Sequence, residues 1–141
     1  MLVFRDTREK TPWTFEGQGI TTTTATLETG DYSLPGLEHK VTIERKSLDD
    51  WVGTVMRERS RFYRELDRMR ALQFRCVIIE ASVREIMAER YTSQVKAKSV
   101  LGFIADVAVA QSVPVYLGGT RAESQVLAGA FLRAASTKLT R

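Results

Sequence analysis

Apolar and polar residues follow two different periods along the chain. Before residue 48, short β-branched or apolar runs end at turn residues, which predicts strands over 2–5, 21–27 and 41–45. The second and third of these strands are expected to form a hairpin-like pair. From Leu48 to about Leu72, apolar residues recur on one face at about 100° per residue, which predicts one long helix.

Strands and helices alternate in the remainder of the chain. The patterns predict a strand over 75–80, a short helix after Ser82 with a capping box to Glu85, a helix over 95–111, a strand over 113–117 and a helix over 123–138. Early strands in a meander and later alternation with helices are typical of an α/β layered domain with a mixed sheet. No repeat or flexible linker divides the chain, so we expect a single domain over 1–141.

Composition narrows the classes of function. The net charge of +4 suits a polyanionic partner without requiring one. The absence of a long apolar run and of a secretory N-terminus predicts no membrane segment and a cytoplasmic location. One cysteine and one histidine, Cys76 and His39, argue against a disulfide, a zinc hydrolase and a Ser-His mechanism, and no phosphate-loop motif indicates a nucleotide cofactor.

Acidic and basic residues concentrate around the third predicted strand. Glu44 and Lys46 are two residues apart, so their side chains should project from the same face, close to Asp31 if the hairpin closes. Two carboxylates can hold a hard divalent cation through oxygen. An adjacent ammonium can orient a water or stabilise charge on a phosphate. Exposed strands also carry such Glu and Lys pairs, so the spacing alone leaves a structural interpretation open.

Three motifs in order resemble the signature of a known nuclease family. Asp6-Thr7-Arg8-Glu9-Lys10, Gly30-Asp31 and Glu44-Arg45-Lys46-Ser47-Leu48-Asp49-Asp50 are similar to those of the XPF-type structure-specific endonucleases, in the restriction-endonuclease-like superfamily. Ser60-Arg61-Phe62 resembles a further Gly-Arg-Leu/Phe element, with Ser in place of Gly. The matched segments extend from residue 6 to about residue 80.

The resemblance implies a fold and a role for each matched position. It implies a restriction-endonuclease-like α/β fold, with a central mixed sheet flanked by helices, and Mg²⁺ or Mn²⁺ as the cofactor. Lys46 would orient the attacking water, and Arg45 would hold local geometry or a phosphate. Asp50 would belong to the catalytic group or serve only as an acid at a helix N-terminus. The implied metal ligands are Asp6, Glu9, Asp31 and Glu44.

Several basic residues are candidates for contact with DNA. Four arginines at helical spacing, here called the arginine stripe, could neutralise phosphates or could simply be a solvated surface: Arg57, Arg61, Arg64 and Arg68. Glu58 and Glu65 flank the stripe and partly offset its charge. Arg8 would contact the cleaved strand or form a structural ion pair, and Lys96 would extend a basic groove.

These expectations define a main function and its alternatives. By resemblance, the chain hydrolyses phosphodiester bonds in branched or flap DNA during repair or recombination. The alternatives are a non-catalytic DNA-binding module, a regulatory subunit of a partner enzyme, and a sequence-specific restriction enzyme. An apolar stripe in the last helix could form a homodimer interface or pack internally: Val126, Leu127, Ala130, Phe131 and Ala134.

Overall fold

The computed structural model describes residues 1–141 and contains six strands and five helices. The strands are β1 (Leu2–Asp6), β2 (Thr21–Ala25), β3 (Tyr32–Ser33), β4 (Val41–Ser47), β5 (Phe74–Glu80) and β6 (Val115–Leu117). The helices are α1 (Leu48–Arg57), α2 (Arg59–Arg70), α3 (Val83–Met87), α4 (Ala97–Ala110) and α5 (Arg121–Leu139). No helix combines the length and the apolar content that crossing a bilayer would require.

All six strands join one mixed sheet in the order β2-β1-β3-β4-β5-β6. The pairs β1–β2, β4–β5 and β5–β6 are parallel, whereas β3 is antiparallel to both of its neighbours. Helices cover both faces of the sheet. The predicted α/β class, with a mixed sheet flanked by helices, is therefore confirmed.

The predicted meander of the first strands is wrong. β2 pairs in parallel with β1 at the edge of the sheet and does not pair with β4. Parallel neighbours require a long crossover, and residues 7–20 provide it, with Trp13 and Phe15 fully or almost fully buried. The hairpin partner of β4 is the two-residue strand β3, so Asp31 precedes a strand rather than follows one.

The single long helix predicted from Leu48 is two helices. The backbone of Glu58, at φ −127° and ψ 26°, ends α1 and begins α2. Because Val55, Phe62 and Leu66 are all buried on one side, the apolar periodicity continues across the break and conceals it. The arginine stripe is therefore not continuous, since Arg57 belongs to α1 and its other members to α2.

The two faces of the sheet bury two separate cores. α1, α2, α3 and α4 pack on one face over Val77 and Ile79, and α5 packs on the other with Trp13, Ile43 and Ile78. The alternation of side chains in a strand therefore assigns each β4 residue to one of these two sides. Ser47 ends β4 and caps α1 by accepting a hydrogen bond from the Asp50 N–H.

The last helix turns its large apolar side chains only partly inward. The buried face of α5 consists of small residues with Leu132, whereas Val126 is 61% exposed and Ala130 and Ala134 are exposed. Leu127 and Phe131 are half-buried against the core. Internal packing therefore explains only part of the predicted apolar stripe.

The capping box predicted for Ser82 and Glu85 is present at α3.

Candidate active site

Backbone geometry fixes Asp31 beside β4. Gly30 precedes it with φ +77°, a left-handed conformation that glycine adopts without a Cβ clash. The Asp31 N–H donates to the Ile43 carbonyl at 2.8 Å. In return, the Asp31 Oδ2 accepts a hydrogen bond from the Arg45 backbone N–H at 2.8 Å. Asp31 is thus held at the level of Glu44 by two bonds to the same strand.

Glu44 and Lys46 project together from β4 toward α2. The Lys46 Nζ lies 3.6 Å from the Glu44 Oε2, and only 18% and 7% of their respective side chains are exposed. The same ammonium lies 5.3 Å from the centre of the Phe62 ring, which borders the site from α2. The structure therefore brings together the three residues at the centre of the sequence hypothesis, Asp31, Glu44 and Lys46.

The two carboxyl groups are short of positive charge. Burial, with repulsion from Glu9 and Glu65, raises the pKa of Asp31 to about 6 against a hydrogen bond from the Arg45 N–H. Burial also raises the pKa of Glu44 well above its usual range, and Asp31 and Glu65 add to the rise. Lys46 offsets only part of this. The site accordingly favours a bound proton or cation between these groups.

Glu65 on α2 is a member of the site that the sequence analysis did not identify. It lines the same two cavities as Glu44, and it contributes to the raised pKa of that residue. It lies three residues after Phe62 and four before Met69, both buried, so helical spacing placed it toward the core face. That spacing was the available signal. From the sequence, Glu65 was expected only as an acid beside the arginine stripe.

The carboxyl groups of Asp31 and Glu44 are called the acidic centre from here on. Asp6 is buried at its edge, and both of its carboxylate oxygens accept local hydrogen bonds. Its Oδ1 accepts from the Leu27 N–H at 2.9 Å, and its Oδ2 accepts from the Arg8 Nε at 2.6 Å. Burial alone would raise the pKa of Asp6, but the bonds from Arg8 and Leu27 together lower it. The predicted role of Asp6 as a metal ligand stays a prediction, and it would require Oδ2 to give up or share Arg8.

Arg45 and Glu9 form a separate network on the opposite face of the sheet. The Arg45 Nε donates to Glu80 at 2.5 Å and its Nη1 to Glu9 at 3.0 Å, while its guanidinium carbon lies 4.7 Å from the Trp13 ring centre. The Glu9 Oε2 also accepts from the Tyr32 hydroxyl at 2.7 Å. The structure therefore does not bring Glu9 to Glu44, and it directs the Arg45 side chain to structural partners.

Asp50 lies apart from the acidic centre. It is exposed in the first turn of α1 and borders a second cavity together with Glu9, Arg45 and Glu80. Its backbone N–H is capped by Ser47, which is the expected environment of an acid at a helix N-terminus. Its predicted catalytic role stays a prediction.

A polar cavity of about 320 Å³ opens over Glu44 and Lys46. Three of the predicted DNA contacts line it: Arg8, Arg61 and Arg68. The Arg8 guanidinium is held between Asp6 and the Leu27 carbonyl, although 71% of its side chain is exposed. Cations with exposed guanidinium groups thus surround the acidic centre on its open side.

The other predicted DNA contacts lie outside this cavity. Arg57 borders a groove between α1 and residues 92–93, together with Asp49 and Met56. Arg64 is exposed on α2 but does not line the cavity. Lys96 immediately precedes α4 and does not line the cavity either. Trp13, considered for base stacking, is fully buried against Tyr32 and belongs to the core.

The donor set suits a hard divalent cation. The structure does not gather three or more acidic, histidine or cysteine side chains into a ready metal-binding group. However, the carboxyl groups of half-buried Asp31 and buried Glu44 line one cavity and have raised pKa values, and carboxylate oxygen is the ligand that Mg²⁺ and Mn²⁺ prefer. These two residues therefore fit the cofactor that the fold implies.

Comparison with known proteins agrees with this architecture. The ERCC4 domain matches residues 5–129. The structure of XPF from Aeropyrum pernix is similar, with a TM-score of 0.75 at 16% identity over 96% of this chain and 62% of that one. XPF from Aeropyrum pernix in complex with DNA gives a TM-score of 0.69 at 17% identity over 97% of this chain and 66% of that one.

This chain thus spans less than two thirds of either similar structure, and both likenesses concern the fold. A search of curated proteins by sequence gives no match. The family match, over residues 5–129, covers most of the chain. The chain therefore belongs to the ERCC4 domain family.

Proposed function

We propose that this chain is a divalent-metal-dependent endonuclease that hydrolyses phosphodiester bonds in DNA. The observation that carries the proposal is that half-buried Asp31 and buried Glu44 line one cavity, with the Lys46 ammonium 3.6 Å from Glu44. The basic rim of Arg8, Arg61 and Arg68 supports a polyanionic substrate. Membership in the ERCC4 domain family supports DNA as that polyanion.

Each residue of the centre has a distinct chemical task in this proposal. Asp31 and Glu44 would hold Mg²⁺ or Mn²⁺, which supplies charge stabilisation at the phosphate and a more acidic water. Lys46 donates hydrogen bonds to the attacking water or to a phosphate oxygen and balances the charge that develops there. Glu44 holds the Lys46 ammonium in place through the ion pair at 3.6 Å.

The basic rim positions the backbone of the substrate. Arg8 is restrained by Asp6 and the Leu27 carbonyl, so little side-chain entropy is lost when it meets a phosphate. Arg61 and Arg68 lie one above the other on α2 and face the same cavity. Such contacts give affinity that falls with salt and little sequence preference. They favour recognition of DNA shape over a defined sequence.

We further propose branched or flap DNA, of the kind processed in repair or recombination, as the substrate. The test compares flap, fork, four-way junction and plain duplex DNA, with Mg²⁺ or Mn²⁺, for the wild type, Lys46→Ala and Lys40→Ala. Lys40 is an exposed lysine that precedes the same strand and serves as the matched control. We expect cleavage of branched substrates by the wild type and Lys40→Ala, and a loss of about a hundredfold or more for Lys46→Ala.

The same assay decides between the alternatives. No cleavage of any substrate, with either metal, by a folded wild type that binds DNA would indicate a non-catalytic DNA-binding or regulatory role instead. Discrete bands from a long linear duplex would indicate a sequence-specific restriction enzyme. Equal rates for Lys46→Ala and wild type would contradict the proposed site.

A further inference from the structure

Glu65 occupies a position that a merely solvated acid would not take. It is half-buried on α2, and with Glu44 it lines both of the cavities that meet at the acidic centre. The same helix face carries Phe62 and Met69, which are buried in the core. Glu65 is therefore anchored at the boundary between the core and the open side of the site.

The charges around Glu65 sharpen this observation. Arg61 and Arg68 lie four residues before and three residues after it, at the spacing that allows ion pairs on a helix. Neither pairs with Glu65, and Arg61 instead lies 3.8 Å from Glu58. Instead, Glu65 lines the same two cavities as Glu44. Carboxylates that face one small cavity repel each other unless a proton or a cation lies between them.

Glu44 also carries a charge that its surroundings only partly balance. It has only 7% of its side chain exposed, and its nearest cation is the Lys46 ammonium, 3.6 Å from its Oε2. Asp31, Glu44 and Glu65 line one cavity, in which acidic side chains outnumber the two arginines, Arg8 and Arg68.

We propose that Glu65 is a third acidic ligand for the divalent cation of this site, alongside Asp31 and Glu44. It binds through a carboxylate oxygen, directly or through one bound water, and it reaches the site from α2 rather than from the sheet. The inference rests on the proposed metal-dependent function and adds a residue to it. It also gives α2 two roles, with Arg61 and Arg68 for the backbone of the substrate and Glu65 for the cation.

Titration of Mn²⁺ into the DNA-free protein tests this inference without recourse to activity. Mn²⁺ affinity is measured by calorimetry for wild type, Glu65→Gln and Glu58→Gln. Glu58 is the matched control because it lines the same cavity from the position that precedes α2, but it is 54% exposed and pairs with Arg61. We expect Glu65→Gln to weaken Mn²⁺ binding by about tenfold or more and Glu58→Gln by less than about twofold.

The Mn²⁺ affinities of the two variants distinguish the possible explanations. Equal losses in the two variants would overturn the inference, because a general effect of charge would then suffice. Unchanged affinity in Glu65→Gln, with a wild type that binds Mn²⁺, would overturn the inference alone. A folded wild type that does not bind Mn²⁺ would overturn the proposed metal dependence and this inference together. Thermal unfolding of the metal-free variants checks folding, and Glu65→Gln should be at least as stable as wild type because it removes a repulsion.

Discussion

Asp31 and Glu44 repel each other inside the site when no cation is bound. The pKa of Asp31 is raised to about 6, mainly by burial. The pKa of Glu44 is raised well above its usual range by burial, and repulsion from Asp31 and Glu65 adds to this rise. A carboxyl whose folded-state pKa lies above its unfolded value destabilises the folded state once it ionises. These two carboxyl groups are therefore a source of instability in the metal-free protein.

The first residue-scale prediction concerns Asp31→Asn. Between the unfolded pKa of 3.8 and the folded pKa of about 6, the folded state holds more protons, so stability falls as the pH rises through this range. Removing the charge should raise the metal-free free energy of unfolding at pH 8 by about 1–3 kcal/mol. The gain should shrink toward pH 4. Urea unfolding at both pH values measures it, and a gain independent of pH would contradict the assignment.

The second residue-scale prediction concerns Arg45. Its side chain is 10% exposed and pairs with Glu9 and Glu80, which are 16% and 15% exposed. Arg45→Met should cost about 2–4 kcal/mol, because two half-buried acids lose their partner. Arg64→Met, at an exposed arginine without an ion pair, should change stability by no more than about 0.5 kcal/mol. Similar urea midpoints for the two variants would be inconsistent with the network described here.

The sequence predicted some of these residue relations and not others. The two-residue period of a strand was sufficient to place Glu44 and Lys46 on one face and to send Arg45 to the other. Glu65 lies near Glu44, and Glu80 pairs with Arg45, but both acids belong to later elements, α2 and β5. Their positions depend on how α2 packs and on the register of β5, which no local sequence pattern encodes.

At the scale of elements, the approach of β3 to β4 determines where Asp31 sits. Gly30 makes this approach possible, because an added Cβ would overlap the Thr42 hydroxyl and come within 3.0 Å of the Ile43 carbonyl oxygen. Gly36 has the same φ of +77° but has open space around it. A substitution at Gly36 therefore tests backbone strain alone, whereas one at Gly30 tests backbone strain together with a steric clash.

Alanine at these two positions gives the element-scale prediction. Gly36→Ala should cost about 1 kcal/mol, the usual penalty for a left-handed non-glycine residue. Gly30→Ala should cost at least about 2 kcal/mol more, since β3 must also move away from β4. Urea unfolding gives both values. Gly30→Ala should also weaken Mn²⁺ binding because Asp31 shifts, and equal stabilities would argue against the close packing at Gly30.

The elements that the sequence missed share a physical cause. β3 has two residues, too few to show any period, and its pairing depends on neighbours that lie on both sides in space. The break at Glu58 contains neither Pro nor Gly, and the apolar residues continue in phase across it. The longer elements β4, β5, α4 and α5 were predicted close to their observed bounds.

Across the whole molecule, the sheet separates the acidic centre and the basic rim from the ion-pair network of Arg45. The acidic centre and the basic rim lie on the face covered by α1 and α2, whereas the Arg45 network and α5 lie on the other. DNA should therefore approach over α2. We also propose that the exposed side of α5, with Val126, Ala130 and Ala134, is available for self-association, since it lies on the face opposite the site.

The whole-molecule prediction is a difference in salt dependence between the two faces. Arg61→Ala should weaken binding to branched DNA and reduce the slope of log affinity against log salt by about one. Lys138→Ala on α5 removes the same charge from the opposite face and should leave the slope unchanged. Fluorescence anisotropy at several salt concentrations measures both. A slope altered equally by the two substitutions would contradict an approach over α2.

The central claim is that Glu44 takes part in chemistry rather than in holding DNA. Its most direct test is the single-turnover rate of cleavage of a flap substrate in Mg²⁺ or Mn²⁺ by wild type and Glu44→Gln, with DNA affinity measured on the same samples. We expect a rate lowered by about a hundredfold or more, with DNA affinity within about twofold of wild type. A Glu44→Gln protein that cleaves at the wild-type rate would contradict it.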